Sequence, residues 1–169
     1  MTPRILVAGI GNIFLGDDAF GCEVVQRMLH RQVPENVRVE DFGIRGFDLA
    51  YALMENYEAV ILVDAAPRGQ RPGTLYTIEP DLNALDDTGP DEIMVETHGM
   101  NPMKVLAMVK ALGGEPKRIL LVGCEPESSG DEERMGLSEP VRAALDEAVA
   151  MVESLITMIT GGQKAAIAG

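Results

Sequence analysis

The chain predicts an α/β domain in which a mainly parallel sheet carries helices on both faces. Three observations lead there. Apolar runs of strand length stand at Ile5–Ala8, Ala59–Val63 and Arg118–Gly123, segments with a helical apolar period separate and follow them, and glycine or proline marks the joins. The runs show little polar alternation, as expected of strands covered on both sides. At 169 residues, 46% hydrophobic and 24% charged, the sequence suits one domain over residues 1–160. Gly161–Gly169 has no apolar period and reads as a flexible C-terminal tail.

Taken in order, ILVA at Ile5–Ala8 runs into Gly9 and Gly11, a buried strand entering a tight turn. Val24, Val25, Met28 and Leu29 recur at helical spacing, so a helix spans about Phe20–Arg31 and Asn12–Ala19 forms a loop. Val37–Phe42 alternates as a second strand and stops at Gly43 and Gly46. Phe47, Leu49, Ala50, Leu53 and Met54 outline a short amphipathic helix. AVILV at Ala59–Val63 is the strongest strand and ends on Asp64. Gly73–Ile78 is a short strand of undetermined direction, followed by an acidic loop over Glu79–Glu96 that leads to His98. Pro102 fits the first turn of a helix reaching Leu112. After the Arg118–Gly123 strand and a second acidic loop, Glu125–Met135, Ser138 is placed as an N-cap. Val141, Leu145, Ala148, Val152, Leu155 and Ile159 form one stripe of a single long final helix.

Composition narrows the function classes. A net charge of -13 disfavours nucleic acid and anionic membrane, both of which present phosphates, and suits a partner with basic groups. Two cysteines, Cys22 and Cys124, do not make a disulfide framework, and a reducing cytoplasm is the simple expectation. The N-terminus lacks a signal-peptide signature, and no apolar run reaches the roughly 20 residues that span a bilayer.

In an α/β sheet the binding crevice lies at the carboxyl ends of the strands. Asp18 after the first strand, Asp64 ending the third and His98 just before a helix all fall there. Asp17 and Asp18 have no positive neighbour in sequence, and two adjacent carboxylates repel unless a cation or proton offsets them. Taken singly, one of the pair could cap the following helix, and Asp64 could accept local N–H groups. Together, one imidazole and two carboxylates suit Zn, Ni or Fe better than calcium, and three ligands leave positions open. Gly9 and Gly11 also begin like a dinucleotide turn, with Glu40 and Asp41 placed to meet a ribose. The third glycine of that fingerprint is replaced by Phe14, however, and the two aspartates would oppose a pyrophosphate, so nucleotide binding ranks lower. No serine lies in a GxSxG elbow, and Cys124 reads as a small apolar strand-end residue rather than a nucleophile.

These segments resemble the hydrogenase maturation proteases, the endopeptidases that process the large subunit of nickel–iron hydrogenases. The resemblance runs nearly end to end. It rests on GIGNIFLGDDAFG at Gly9–Gly21, DFGIRG at Asp41–Gly46, ILVDA at Ile61–Ala65, His98 ahead of a helix, and LVGCEPES with GLS between Leu121 and Ser138. It implies a three-layer αβα sandwich with a twisted sheet of about five strands. It implies that Asp18, Asp64 and His98 are the catalytic and metal-binding triad of an aspartyl-type endopeptidase working in the cytoplasm. The substrate implied is a hydrogenase large-subunit precursor, which loses its C-terminal extension after nickel insertion. Nickel is then recognised in the substrate rather than held as a resident cofactor, with Zn or Cd able to replace it in vitro. Well-known members carry Glu where this chain has Asp18, which keeps the carboxylate and shortens its reach by one methylene. Asp17 is the neighbouring acid with a capping role. A non-catalytic nickel-sensing or chaperone module for hydrogenase assembly is the alternative reading of the same residues.

Overall fold

The computed structural model describes residues 2–84, 100–127 and 135–161. Its strands are β1 (Ile5–Ile10), β2 (Val37–Gly43), β3 (Ala59–Ala65), β4 (Leu75–Ile78) and β5 (Ile119–Cys124). They form one sheet in the order β2–β1–β3–β5–β4. The β1–β2, β1–β3 and β3–β5 pairs are parallel, while β4 runs antiparallel to β5 with Leu75 opposite Cys124. The short strand of undetermined direction is therefore an antiparallel edge, which a brief return from β3 allows without a crossover helix.

Among the described residues the α-helices are α1 (Phe20–Leu29), α2 (Gly46–Leu53), α3 (Pro102–Ala111), α4 (Glu139–Ala143) and α5 (Leu145–Thr160). Alternation along the strands sorts the core into two layers. Ile5, Val7, Ile61, Val63, Leu120 and Val122 face α1, α4 and α5. Leu6, Ala8, Leu62 and Ile119 face the other way, against α2 and α3. Burial on both faces is the reason the central strands read as unbroken apolar runs. The three-layer αβα sandwich with five strands is thus the observed fold.

Helix ends follow the sequence closely. Asn101 caps α3 by accepting the Met103 N–H at 3.0 Å, with Pro102 in the first turn. The expected single final helix divides at Ala144, whose N–H donates to Val141 one residue short of an α bond. The apolar stripe from Val141 to Ile159 is buried across the break, so periodicity alone does not reveal it. Among the described residues, no helix is long and apolar enough to cross a membrane. Residues 162–169, most of the expected tail, lie outside the described residues.

From β1 the chain moves to β2 on one side, then returns past β1 to β3 on the other. That reversal opens a crevice at the carboxyl ends of β1 and β3, where side chains from two different loops meet.

Candidate active site

The loop after β1 sets the site. Gly11 turns with φ +146°, and a Cβ there would lie 1.8 Å from the Asp18 carbonyl oxygen, so the loop folds back over itself at a residue without a side chain. A 3₁₀ turn, Gly16–Ala19, then delivers the chain to α1. With three residues per turn, neighbours on a 3₁₀ turn point about 120° apart, and Asp17 and Asp18 diverge accordingly.

Asp17 points inward and is 1% exposed. Its carboxylate accepts the Ser138 N–H at 2.7 Å, the Ser138 Oγ–H at 2.8 Å and the Glu127 N–H at 2.8 Å. This corrects the expectation that Asp17 caps the helix following it. Its partners stand 110 and 121 residues further along the chain, and it ties the loop after β5 and the start of α4 to the β1 loop. Ser138 occupies the N-cap position expected of it, yet its hydroxyl serves Asp17 rather than a helix N–H. Asp17→Ala leaves buried donors unpaired and is expected to cost about 2 kcal/mol, read as a lower urea midpoint at unchanged slope.

Asp18 takes the other direction. Its Oδ2 accepts the Asn12 N–H at 2.8 Å, and its side chain lines a cleft shared with Asp64. Asp64 is the penultimate residue of β3, opposite Gly123 of β5, and is 8% exposed. Burial pushes its carboxyl well above the ordinary range and the charge of Asp18 adds to this, against the Ala65 N–H that it accepts. Burial likewise raises Asp18, opposed by the Asn12 N–H. The charge of Asp18 is thus felt by Asp64 across the cleft, while the Asp17 carboxylate is turned to its own donors. No lysine or arginine among the described residues lines the cleft. Such a pair favours a shared proton or a divalent cation. The Asn12 N–H that a dinucleotide turn would offer to phosphate is instead given to Asp18.

His98, the third residue of the expected triad, lies outside the described residues, as does most of the loop before it. Among the described residues, no group of three His, Cys, Asp or Glu side chains is arranged to hold a metal ion. The described part of the chain thus supplies two carboxylates at one place. His30, the other histidine, is exposed at the end of α1.

Sequence reasoning missed Glu125, which it placed in an acidic loop. It is 5% exposed, and its carboxylate accepts the N–H groups of Arg68, Gly69 and Gln70 at 2.6, 2.9 and 3.1 Å. Tyr76 adds a hydroxyl bond to the Ala66 carbonyl at 2.6 Å, so the segment after β3 is pinned where it walls the cleft beside Asp64. A signal existed: Glu125 directly follows a buried strand, as Asp64 stands next to the end of one. Cys124 is buried, and burial with Asp17 and Glu125 nearby pushes its thiol up to about 12, which removes it as a nucleophile near neutral pH. Burial, with Asp41 beside it, likewise raises Cys22.

A family model described as hydrogenase maturation protease matches residues 22–155. The hydrogenase 2 maturation protease of Escherichia coli is 32% identical over 152 residues, covering 88% of this chain and 88% of that protein. The hydrogenase expression/formation protein HupD of Rhodobacter capsulatus is 34% identical over 164 residues, 94% of this chain and 76% of its own length. Among solved structures, the hydrogenase maturating endopeptidase HybD from E. coli superposes with a TM-score of 0.72 at 29% identity, covering 92% of this chain and 93% of that one. The hydrogenase 2 maturation peptidase of a Thaumarchaeota archaeon gives 0.66 at 34% identity, with 90% and 97% covered.

Proposed function

Because the chain belongs to the hydrogenase maturation proteases, we propose that it removes the C-terminal extension of a nickel–iron hydrogenase large-subunit precursor after nickel insertion, reading the substrate's nickel through Asp18, Asp64 and His98. The observation that carries this reading is the meeting of Asp18 and Asp64 in one cleft at the reversal point of the sheet. Two acids raised by burial, Asp64 further by the charge of Asp18, are matched to a cation that arrives with the substrate. His98 completes the donor set, since imidazole with carboxylates suits a borderline ion such as nickel. Nickel belongs to the precursor here, and its capture fixes the scissile bond beside the carboxylates, so that recognition and alignment are one event. An attacking water held between that bond and a carboxylate gives up its proton to the carboxylate. The cytoplasm is where such a precursor is expected to be met.

Mass spectrometry of purified precursor incubated with the enzyme tests the reading. Nickel-loaded precursor should appear with a shortened C-terminus and nickel-free precursor should stay intact. His98→Ala should slow the cleavage about 100-fold, the scale of losing one group that aligns the reacting centre. Equal cleavage of both precursor forms would overturn nickel reading, and stable binding of intact precursor without cleavage would favour an assembly module.

A further inference from the structure

We propose that Arg68 and Arg71, on the segment joining β3 to β4, form an anion site that grips an acidic side chain of the substrate within about four residues of the cleaved bond. This grip presupposes the cleavage proposed above and lies outside the cleft itself. A chain of net charge -13 offers acids to nearly every arginine. Arg27, Arg31, Arg38, Arg45 and Arg118 each meet a carboxylate, and Arg4 and Arg142 each donate to a backbone carbonyl. Arg68 and Arg71 are the exceptions. Both are exposed, and neither guanidinium has a hydrogen-bond or ion-pair partner among the described residues.

The segment that bears them is exposed yet fixed. The buried Glu125 carboxylate takes the N–H groups of Arg68, Gly69 and Gln70, and the Gly73 N–H donates to the Glu125 carbonyl at 2.8 Å. The Thr74 N–H and Oγ–H close a turn on the Arg71 carbonyl at 3.0 and 2.6 Å. Pro67 and Pro72 fix φ at two further points. The Arg68 guanidinium lies over the Tyr76 ring, 5.1 Å from its centroid, and the hydroxyl of the same tyrosine holds the Ala66 carbonyl. A cation over a ring face is steadied without spending its N–H groups, so the five donors of Arg68 are kept for a ligand. Much of the ordering that binding would otherwise require is already done by the fold.

The occupant follows from where the segment stands. Ala65, Ala66 and Pro67 wall the cleft and Arg68 comes next in the chain, so the arginines belong to its rim. Arg68 is four residues from Asp64, which sets their Cα atoms no more than about 14 Å apart. An extended substrate lying across Asp64 covers that distance in about four residues. An endopeptidase meets polypeptide, whose anion is the carboxylate, and a guanidinium fork takes a carboxylate through two parallel bonds. Arg71 adds a second positive charge on the same short segment. The surplus of acid elsewhere repels an acidic partner at long range, so the pair selects an acid at this point of the substrate and disfavours one at others.

The test uses the full-length enzyme and nickel-loaded large-subunit precursors in which each of the four residues on either side of the cleaved bond is made Glu or Lys in turn. Mass spectrometry of the cleavage gives kcat and KM, and titration of the same precursors against Asp64→Asn enzyme gives affinity without turnover. At one position Glu should give a KM about 10-fold below that of Lys at unchanged kcat, and added salt should shrink the difference. Enzyme carrying both Arg68→Glu and Arg71→Glu should reverse the preference at that position and at no other. Arg68→Lys, which keeps the charge and loses the fork, should preserve its sign at reduced size. The pair Arg68→Gln and Arg71→Gln, which should abolish the preference, serves should the Glu pair fold poorly. A purely structural role would instead slow every precursor alike, and the absence of any position whose preference the variants move overturns the anion site. The two levels fail separately. Intact precursors throughout would remove the cleavage reading, and the titration would still decide the arginines: a preference for Glu that the variants reverse supports them, and equal affinities overturn them.

Discussion

Asp64→Asn is expected to stop precursor processing and, in the same protein, to raise the melting temperature at neutral pH. The loss should be about 10²–10³-fold, the scale of removing one charged group that acts on the reacting centre. The gain in stability follows from where Asp64 sits. Its carboxyl is almost fully buried beside Asp18 and is held well above its ordinary value of 3.8, so folding taxes its ionised form. The sign is fixed by linkage. A folded-state value above the unfolded one means that the native protein binds the proton more tightly. The stability it contributes is complete below 3.8 and is lost as pH rises through the folded-state value. Asparagine keeps the acceptor for the Ala65 N–H and carries no charge, which removes that pH dependence. Melting curves taken from about pH 4 to pH 8 should therefore converge at the acid end and separate toward neutrality, with the variant above the parent. A variant that melts lower at neutral pH would show that the surrounding hydrogen bonds, rather than a bound cation, already compensate the charge.

What could be read from the sequence depended on how local its physical cause is. The strands at Ile5 and Ala59 announce themselves because burial on both faces makes them apolar throughout, and the acids at their ends are conspicuous for the same reason. That placed Asp18 and Asp64 at one end of a parallel sheet, and the structure brings them into one cleft. Asp17 could not be read so well. Its three donors come from Glu127 and Ser138, and nothing within a few residues of it hints at them. Glu125 was concealed by its acidic neighbours, although its carboxylate is consumed by the backbone of Arg68, Gly69 and Gln70.

Gly21→Ala is expected to cost about 3 kcal/mol or more, because the strand–helix unit carrying the site closes on this residue. A Cβ at Gly21 would lie 2.0 Å from the Val63 carbonyl oxygen and 2.4 Å from that of Ile10. Both are backbone atoms of the central strands β1 and β3, so no side-chain rotation relieves the clash. Helix α1 would have to lift, opening the contacts of Val24, Val25 and Met28 with the sheet. The position also resolves why the chain fails the dinucleotide fingerprint at Phe14. Close approach of helix and strand is retained, but the loop Asn12–Ala19 delays the helix, and the glycine permitting the approach moves with it to Gly21. The added loop is what carries Asp17 to the core and Asp18 to the cleft. Phe14 itself is 60% exposed, so Phe14→Gly should change stability by no more than about 1 kcal/mol. Gly21→Ala should lower the melting temperature by roughly 6–12 °C in the same assay. Equal melting of the two variants would mean that α1 does not need its glycine to seat against β1 and β3.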